Sequence, residues 1–273
     1  MITAFNLFNA LSYIISGVVE ASISVVVFTK NSNKRLNQLF SGGFFLFAIG
    51  LIFNGLTFAV AHRSLFAANI LRDVSTSLGI IGMVLFFLAA YGIYFGAASL
   101  NFPALLIFGL IAVSLAVVNG FNDWVQEDGA GGYMTTDSTL GKVFGQVVPL
   151  LFVVAAVVLL FLTRRKLESP LARKRISAYA LGSSTMLIGS MIFVLDKYIP
   201  MNPIILPIIA QFTWVAGPAI MLASFYLKVK PQPTHPIKDG EQKETETEEI
   251  VEVKLVEPPP IETNQQTKLE RPS

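Results

Sequence analysis

The sequence predicts an all-α membrane protein, a bundle of seven transmembrane helices followed by a disordered tail. Hydrophobic residues make up 53% of the chain and charged residues only 14%, whereas soluble domains are about 25% charged. The mean hydropathy is +0.62. Most apolar residues lie in runs of roughly 20, long enough for an α-helix to cross the ~30 Å hydrocarbon core of a bilayer. We therefore expect a multi-pass protein of the cell membrane, with the helices in residues 1–230.

The first four predicted spans are bounded by charged or turn-forming residues. The first ends just before Lys30, and the second follows Arg35. Arg72 and Asp73 interrupt the apolar run that leads into the third span, so we place its start after them. Pro103 suits the first turn of the fourth, where its missing N–H would have no helical partner. These spans cover about 5–28, 39–61, a stretch ending at 95, and 102–118.

A long loop over 119–141 precedes the remaining spans. Its charged residues are all acidic, and the glycines near its middle predict irregular structure. The fifth, sixth and seventh spans then cover about 143–162, 176–195 and 204–227, with a short proline-containing turn over 196–203.

The loop over 163–175, between the fifth and sixth spans, predicts the orientation. Short loops rich in Lys and Arg stay on the cytoplasmic side of a membrane. Placing this loop inside puts the N-terminus outside and the C-terminus in the cytoplasm. Cytoplasmic segments then hold 11 Lys and Arg residues and the outer segments hold four. The loop's cations, which could face membrane lipid or a partner protein, are Arg164, Arg165, Lys166, Arg173, Lys174 and Arg175.

Residues 231–273 differ in kind and are predicted to form an acidic cytoplasmic tail rich in Pro and Glu. They hold 5 Lys and Arg residues against 10 Asp and Glu. With few large apolar residues, the tail cannot bury enough surface to offset the entropy of ordering, so we expect disorder. Residues 250–256 alternate with the period of a strand. They would suit addition to the edge of a partner's sheet or a short helix; an apolar patch without function explains them as well.

Glu20 most requires a reason, because it lies about ten residues before Lys30 and hence deep in the first span. A carboxylate there costs several kcal/mol unless it is paired, hydrated or protonated. Polar residues recur at helical spacing around it, which predicts an inward-facing stripe. The stripe comprises Asn9, Ser12, Ser16, Glu20 and Ser24. It is either a ligand, ion or proton site, or a neutral acid that hydrogen-bonds another helix, for instance near Asn54.

Two further pairs of residues are candidates for ligand binding. Arg72 and Asp73 are predicted near the outer end of the third span, where they could bind a polar ligand or mark the start of a helix. Gln211 and Trp214 lie near one face of the seventh span. Prolines in that span free backbone carbonyls and kink the helix, so it is the best candidate for a moving element, although irregular packing explains them equally.

Missing residues exclude several classes of enzyme and pump. The chain has no Cys and 2 His, which leaves no thiolate chemistry and no histidine cluster to hold catalytic zinc. No lysine lies within the seventh span to form the Schiff base of a retinal pump, and no Gly-rich phosphate loop is present. We expect no enzymatic activity, cofactor, bound metal or nucleic-acid partner.

Three stretches carry a family resemblance. Residues 33–40 read NKRLNQLF, residues 170–176 read PLARKRI, and residues 196–200 read DKYIP ahead of a last helix that ends near Tyr226. Together they resemble the seven-transmembrane N-terminal sensor region of histidine kinases. This chain lacks the Trp of that family's second helix and has residues 50–53 in its place. The family carries a kinase or another output domain after the seventh helix, and the 43 residues beyond position 230 are too few for a kinase.

The resemblance implies an input module without a fused output. Our first expectation is a receptor-like sensor that passes a signal to a separate cytoplasmic signalling protein through the loop over 163–175 or the tail. The alternative is a small proton- or solute-coupled transporter that uses Glu20, and a third is a scaffold or accessory subunit. Gly92 and Gly96 fit close helix contact, either within the bundle or in a homodimer.

Overall fold

The computed structural model describes residues 4–30, 32–127, 132–196 and 205–227. Most of the turn predicted over 196–203, the glycines at 129 and 131, and the predicted tail over 231–273 lie outside these residues. The described part of the chain forms seven α-helices and one two-stranded sheet. The helices are α1 (Ala4–Lys30), α2 (Arg35–Val60), α3 (Leu65–Phe95), α4 (Phe102–Gly120), α5 (Val148–Lys166), α6 (Pro170–Asp196) and α7 (Ile205–Ser224).

Five of these helices are long and apolar enough to cross a membrane, judged by length and composition over the described residues. They are α1 to α4 and the continuous helical stretch Gly141–Lys166, which contains α5. The stretch Ile208–Ser224 of α7 is a shorter apolar helix. Apolar side chains such as Val25, Leu110 and Leu151 are more than half exposed on the outside of the bundle, as expected where helices contact lipid rather than water. The prediction of a helical protein with several helices long and apolar enough to cross a membrane is confirmed at this level, and the sheet is an addition to it.

Six helices form a closed circuit. Each of α1, α2, α3, α5, α6 and α7 packs against the next, and α7 packs back against α1. The fourth helix stands apart from this circuit and packs mainly against α3. The circuit therefore encloses an interior to which six helices contribute side chains.

The two ends of the bundle differ in charge. Arg35 donates a hydrogen bond to the carbonyl of Leu100 (2.7 Å), and the Lys166 Nζ lies 3.6 Å from the centre of the Tyr94 ring. The α1–α2, α3–α4 and α5–α6 connections therefore meet at one end, together with the cations of 164–175; we call it the basic end. The sheet lies at the opposite end, which we call the hairpin end.

The third helix runs unbroken from Leu65, so the prediction that the span begins after Asp73 was wrong. Ser64 starts it: the Ser64 side chain accepts a hydrogen bond from the Ala67 N–H (3.2 Å) and satisfies an otherwise unpaired donor of the first turn. Arg72 does not break the helix, because a carboxylate outside the helix neutralises it, as described below.

Of the two glycines expected in close helix contact, one plays that role. A Cβ on Gly92 would lie 2.7 Å from Cδ2 of Leu36 and 2.5 Å from Cδ1 of Leu100. Gly96 instead ends α3 with φ of +93° and has open space around it. Residues with a side chain rarely adopt this φ, so Gly96 is required by the turn rather than by packing.

The described residues of the predicted loop over 119–141 include two paired strands, a β-hairpin, which corrects the prediction of irregular structure for those residues. Strand β1 (Asp123–Glu127) pairs antiparallel with β2 (Tyr133–Asp137), and Val125 lies opposite Thr135. Aromatic and β-branched residues favour strands on both sides of the glycines. The hairpin docks on α3, where Asn69 Oδ1 accepts a hydrogen bond from the Val125 N–H (2.7 Å).

Candidate functional site

A cavity of about 580 Å³ opens at the hairpin end, inside the circuit of six helices. Small-molecule sites usually measure about 300–1,000 Å³. The wall is largely apolar, and each sector of the circuit adds a polar side chain to it. These are Tyr13 on α1, Asn54 on α2, Arg72 on α3, Gln146 just before α5, Ser190 on α6 and Gln211 on α7. The cavity is the best candidate binding site in the part of the chain that the structure describes.

A network of charged and amide groups holds the hairpin over this cavity. The Arg72 Nε lies 2.6 Å from Asp123 Oδ2 at the start of β1, and Arg72 Nη1 donates to Asn54 Oδ1 on α2 (2.9 Å). The Asp123 side chain is fully buried and that of Arg72 is 14% exposed. A buried ion pair of this kind ties three elements together, because removing either partner leaves an uncompensated charge.

Aromatic rings form another part of the cavity wall. Trp214 on α7 stacks on Phe47 of α2 with ring centres 5.5 Å apart, and its edge meets Tyr13 of α1 at 6.5 Å. Tyr13 also stacks on Phe58 (6.2 Å), and it lines the cavity together with Gln211. A ligand would therefore meet both aromatic rings and polar groups in this wall.

Two buried acceptors in the cavity wall have no donor among the described residues. They are the Oε1 atoms of Gln146 and Gln211. Leaving a buried acceptor unpaired costs about 1–3 kcal/mol. The arrangement is suited to a ligand that donates N–H or O–H groups to both.

Gln146 lies on a π-helical turn, Gly141–Val147, that leads into α5. Such wide turns are rare and recur at functional sites. Gly145 makes room for this turn: a Cβ on it would collide with the side chain of Asn119 from α4. The fit between Gly145 and Asn119 thus helps to set the position of Gln146.

The floor of the cavity, toward the basic end, is an apolar layer of aromatic rings. Tyr179 of α6 meets Phe40 and Phe44 of α2 edge to face, with ring centres 5.6 and 6.3 Å apart. Phe86 of α3 and Phe225 beyond α7 pack on the same rings. A void of about 50 Å³, lined almost entirely by apolar groups, lies between the cavity and the floor. In this conformation the cavity opens at one end of the bundle.

The structure brings some of the predicted ligand-binding residues together and separates others. Asn54, Arg72, Gln211 and Trp214 all line the cavity. Asp73, predicted to act beside Arg72, instead lines a separate groove of about 340 Å³ between α3 and α4. Adjacent residues on a helix point about 100° apart, which separates the two side chains.

The polar stripe of α1 faces inward as predicted, and all five of its side chains are buried. Asn9 lines the cavity, and Ser24 hydrogen-bonds Ser41 of α2 (3.0 Å). Glu20 and Ser16 are fully buried but belong to no described cavity wall. The suggested partner of Glu20 was wrong: Asn54 bonds Arg72, and the Glu20 oxygens have no hydrogen-bond partner among the described residues.

The cations of the predicted partner-facing loop lie mostly within helices. Arg164, Arg165 and Lys166 form the last turn of α5, and the other three lie in the first turns of α6. Arg173 donates to the Leu167 carbonyl (2.8 Å), and Arg175 donates to the Leu227 carbonyl just beyond α7 (3.0 Å). The helix dipole stabilises positive groups at the C-terminal ends of α5 and α7 and disfavours them at the N-terminus of α6. Arg164, Arg165 and Lys174 remain exposed at the basic end.

The sequence did not identify four residues that the structure makes important: Tyr13, Asp123, Gln146 and Tyr179. Tyr13 follows Asn9 by four residues and therefore continues the polar stripe, so that spacing was a usable signal. Asp123 lies far in sequence from Arg72, and only the tertiary fold brings the two together.

No protein-family model and no curated protein matches this chain. The resemblance to the sensor region of histidine kinases therefore stays a prediction.

Proposed function

We propose that this chain is a receptor-like membrane sensor that binds a small ligand in the cavity and passes the signal to a separate cytoplasmic protein. The observation that supports it most is the cavity of about 580 Å³, open at the hairpin end and backed by an apolar aromatic floor. A receptor needs a site that is reached from one side and helices that continue to the other side. The bundle offers both.

The charge distribution supports an orientation with seven spans, the hairpin outside and the basic end in the cytoplasm. The basic end holds the cations of 164–175 together with Lys30, Lys34 and Arg35. The segment 164–175 contains one acidic residue, Glu168. Cytoplasmic loops retain Lys and Arg, so this end belongs inside. The N-terminus is then outside, and the tail over 231–273 is cytoplasmic.

The ligand class follows from the wall of the cavity. Arg72 is neutralised by Asp123, and Lys142 and Asp137 add opposite charges to the wall. A net anionic or cationic ligand therefore finds no excess of opposite charge. A neutral or zwitterionic molecule with an aromatic or apolar part for Trp214, and with donors for Gln146 and Gln211, fits best.

The seventh helix is the element that would carry the signal. It bears Gln211 and Trp214 in the cavity, and the chain just beyond it is held by Arg175 at the basic end. Pro218 lies inside this helix and cannot donate to the carbonyl four residues earlier, which weakens the helix between its two ends. For signalling, the ligand must bind one position of α7 more tightly than another.

Site-specific photocrosslinking of the full chain in native membranes tests the coupling. We expect a photoreactive residue at Lys174 to capture a cytoplasmic protein, and the yield to change when Gln211→Leu alters the cavity. The control position is Phe66, which is 77% exposed at the hairpin end and should capture no cytoplasmic protein. The proposal would be contradicted if no protein were captured at Lys174. It would also be contradicted if the crosslinking yield were the same in the wild type and in Gln211→Leu.

A second candidate, a small proton- or solute-coupled transporter, is favoured by one observation. Glu20 is fully buried and has no hydrogen-bond partner among the described residues, and intramembrane carboxylates commonly mark ion and proton paths. The apolar floor beneath the cavity favours the sensor. The two functions differ in whether the cavity ever opens at the basic end.

A further inference from the structure

Three polar groups on α1 and α6 are buried and have no hydrogen-bond partner among the described residues. They are the carboxylate of Glu20, the hydroxyl of Ser16 one turn earlier, and the phenol of Tyr179. Glu20 and Ser16 are 0% exposed, and Tyr179 is 5% exposed. Tyr179 belongs to the same buried cluster as Ile23, which lies one turn after Glu20 on α1. Each unpaired buried group carries a desolvation cost of about 1–3 kcal/mol, more when charged.

The Ser16 hydroxyl is turned away from its own helix. In membrane helices a serine usually donates back to the carbonyl four residues earlier. Ser22 on the same helix does so, to Val18 at 2.9 Å, and Ser183 on α6 does so, to Tyr179 at 3.0 Å. Ser16 makes no such bond. Its oxygen is therefore available to something other than the described backbone.

We propose that Glu20, Ser16 and Tyr179 bind a sodium ion in the interior of the bundle. Carboxylate and hydroxyl oxygens are the ligands that hard cations prefer. An ion held about 2.4 Å from each oxygen keeps neighbouring ligands about 3.4 Å apart, too far for good hydrogen bonds between them. These oxygens do not hydrogen-bond to one another. One carboxylate supplies one negative charge, which matches a monovalent ion.

Protonation of Glu20 alone explains the three unpaired groups less well than a bound ion does. A protonated carboxyl would donate to one hydroxyl and accept from the other, on Ser16 or Tyr179, yet none of these hydrogen bonds is made. An ion would instead draw one oxygen from each group. The sequence predicts no metal site because it lacks clusters of His and Cys, but a site built from one carboxylate and two hydroxyls requires neither.

The stripe on α1 provides a route to this site. Asn9 lines the cavity, and Ser12 lies between Asn9 and Ser16 on the same buried face. The ion would enter from the hairpin end. The site goes beyond the proposed sensor function: none of its three residues lines the cavity of about 580 Å³, and Tyr179 belongs to the aromatic floor beneath it.

Radioactive sodium binding to the purified full chain tests this inference, with choline replacing sodium to hold the ionic strength. We expect saturable binding of one ion per chain that Glu20→Gln abolishes. Ser16→Ala and Tyr179→Phe should each weaken binding about 10-fold or more, by analogy with the loss of other groups that support metal sites. Ser22→Ala and Tyr226→Phe are matched controls, because Ser22 already bonds its own helix and Tyr226 is 65% exposed.

Absence of saturable binding in the wild type, or equal binding by Glu20→Gln, would overturn the assignment. Should Glu20→Gln fail to fold, sodium binding by Ser16→Ala and Tyr179→Phe tests the site instead. Unchanged affinity in both would overturn the site, and a loss in both with unchanged controls would support it. Neither result depends on whether a partner protein is captured at Lys174.

Discussion

Replacing Asp123 with Ala is expected to lower the free energy of unfolding by about 3–5 kcal/mol, the usual cost of breaking a buried ion pair by removing one partner. The Asp123 side chain is fully buried and lies 2.6 Å from Arg72 Nε, whose side chain is 14% exposed. In the variant, the Arg72 guanidinium stays charged beside Asn54 but has lost the carboxylate that paired with it. Unfolding followed by tryptophan fluorescence measures the change, and Trp124 next to Asp123 also reports local release of the hairpin.

A double variant provides the control for this prediction. Combining Arg72→Met with Asp123→Leu removes both charges and keeps apolar volume, so it should recover most of the stability that Asp123→Ala loses. A loss below about 1 kcal/mol for Asp123→Ala would contradict the account, since that is the value of a solvated surface pair.

Replacing Gly217 with Val is expected to separate α6 from α7 and to destabilise the bundle by about 1–3 kcal/mol, as overpacking generally does. A Cβ at Gly217 would lie 2.7 Å from the carbonyl oxygen of Gly182 and 2.5 Å from Cγ of Met186. Backbone atoms cannot yield as a flexible side chain can. Because α7 carries Gln211 and Trp214, the substitution should also disturb the cavity, and the emission of Trp214 measures this.

The matched control is Gly109→Val on α4, where a Cβ would meet nothing within 4 Å. It imposes the same change of residue on an exposed face of a helix outside the circuit. Equal effects of the two substitutions would show that the loss comes from helix propensity rather than from the contact between α6 and α7.

The helices could be predicted because membrane-crossing segments are specified locally. Roughly 20 apolar residues in sequence suffice, and no distant contact is needed. The start of α3 was missed for the opposite reason: the charge of Arg72 is tolerated within the helix only because Asp123 lies beside it. The hairpin was missed because its glycines carry the strongest local signal, while its docking depends on Asn69 of another element.

In the candidate site, too, some features follow from the sequence alone and others do not. The inward stripe on α1 follows from spacing alone, and so do Gln211 and Trp214 on one face of the last helix. The choice of partners does not: Arg72 pairs with Asp123 rather than acting with Asp73, and Asn54 bonds Arg72 rather than Glu20. Those pairings depend on how helices are rotated against one another, which an apolar sequence scarcely specifies.

The central claim, that the cavity is a receptor site reached only from outside, can be tested with single cysteines because the chain has none of its own. Thr76→Cys places a thiol in the cavity wall, while Met134→Cys and Lys174→Cys mark the hairpin and basic ends. A charged, membrane-impermeant thiol reagent is then applied to right-side-out and inside-out vesicles. We expect Thr76→Cys and Met134→Cys to react only in right-side-out vesicles and Lys174→Cys only in inside-out ones. Reaction of Thr76→Cys in both would show that the cavity opens to each side in turn, as in a transporter, and would contradict the sensor.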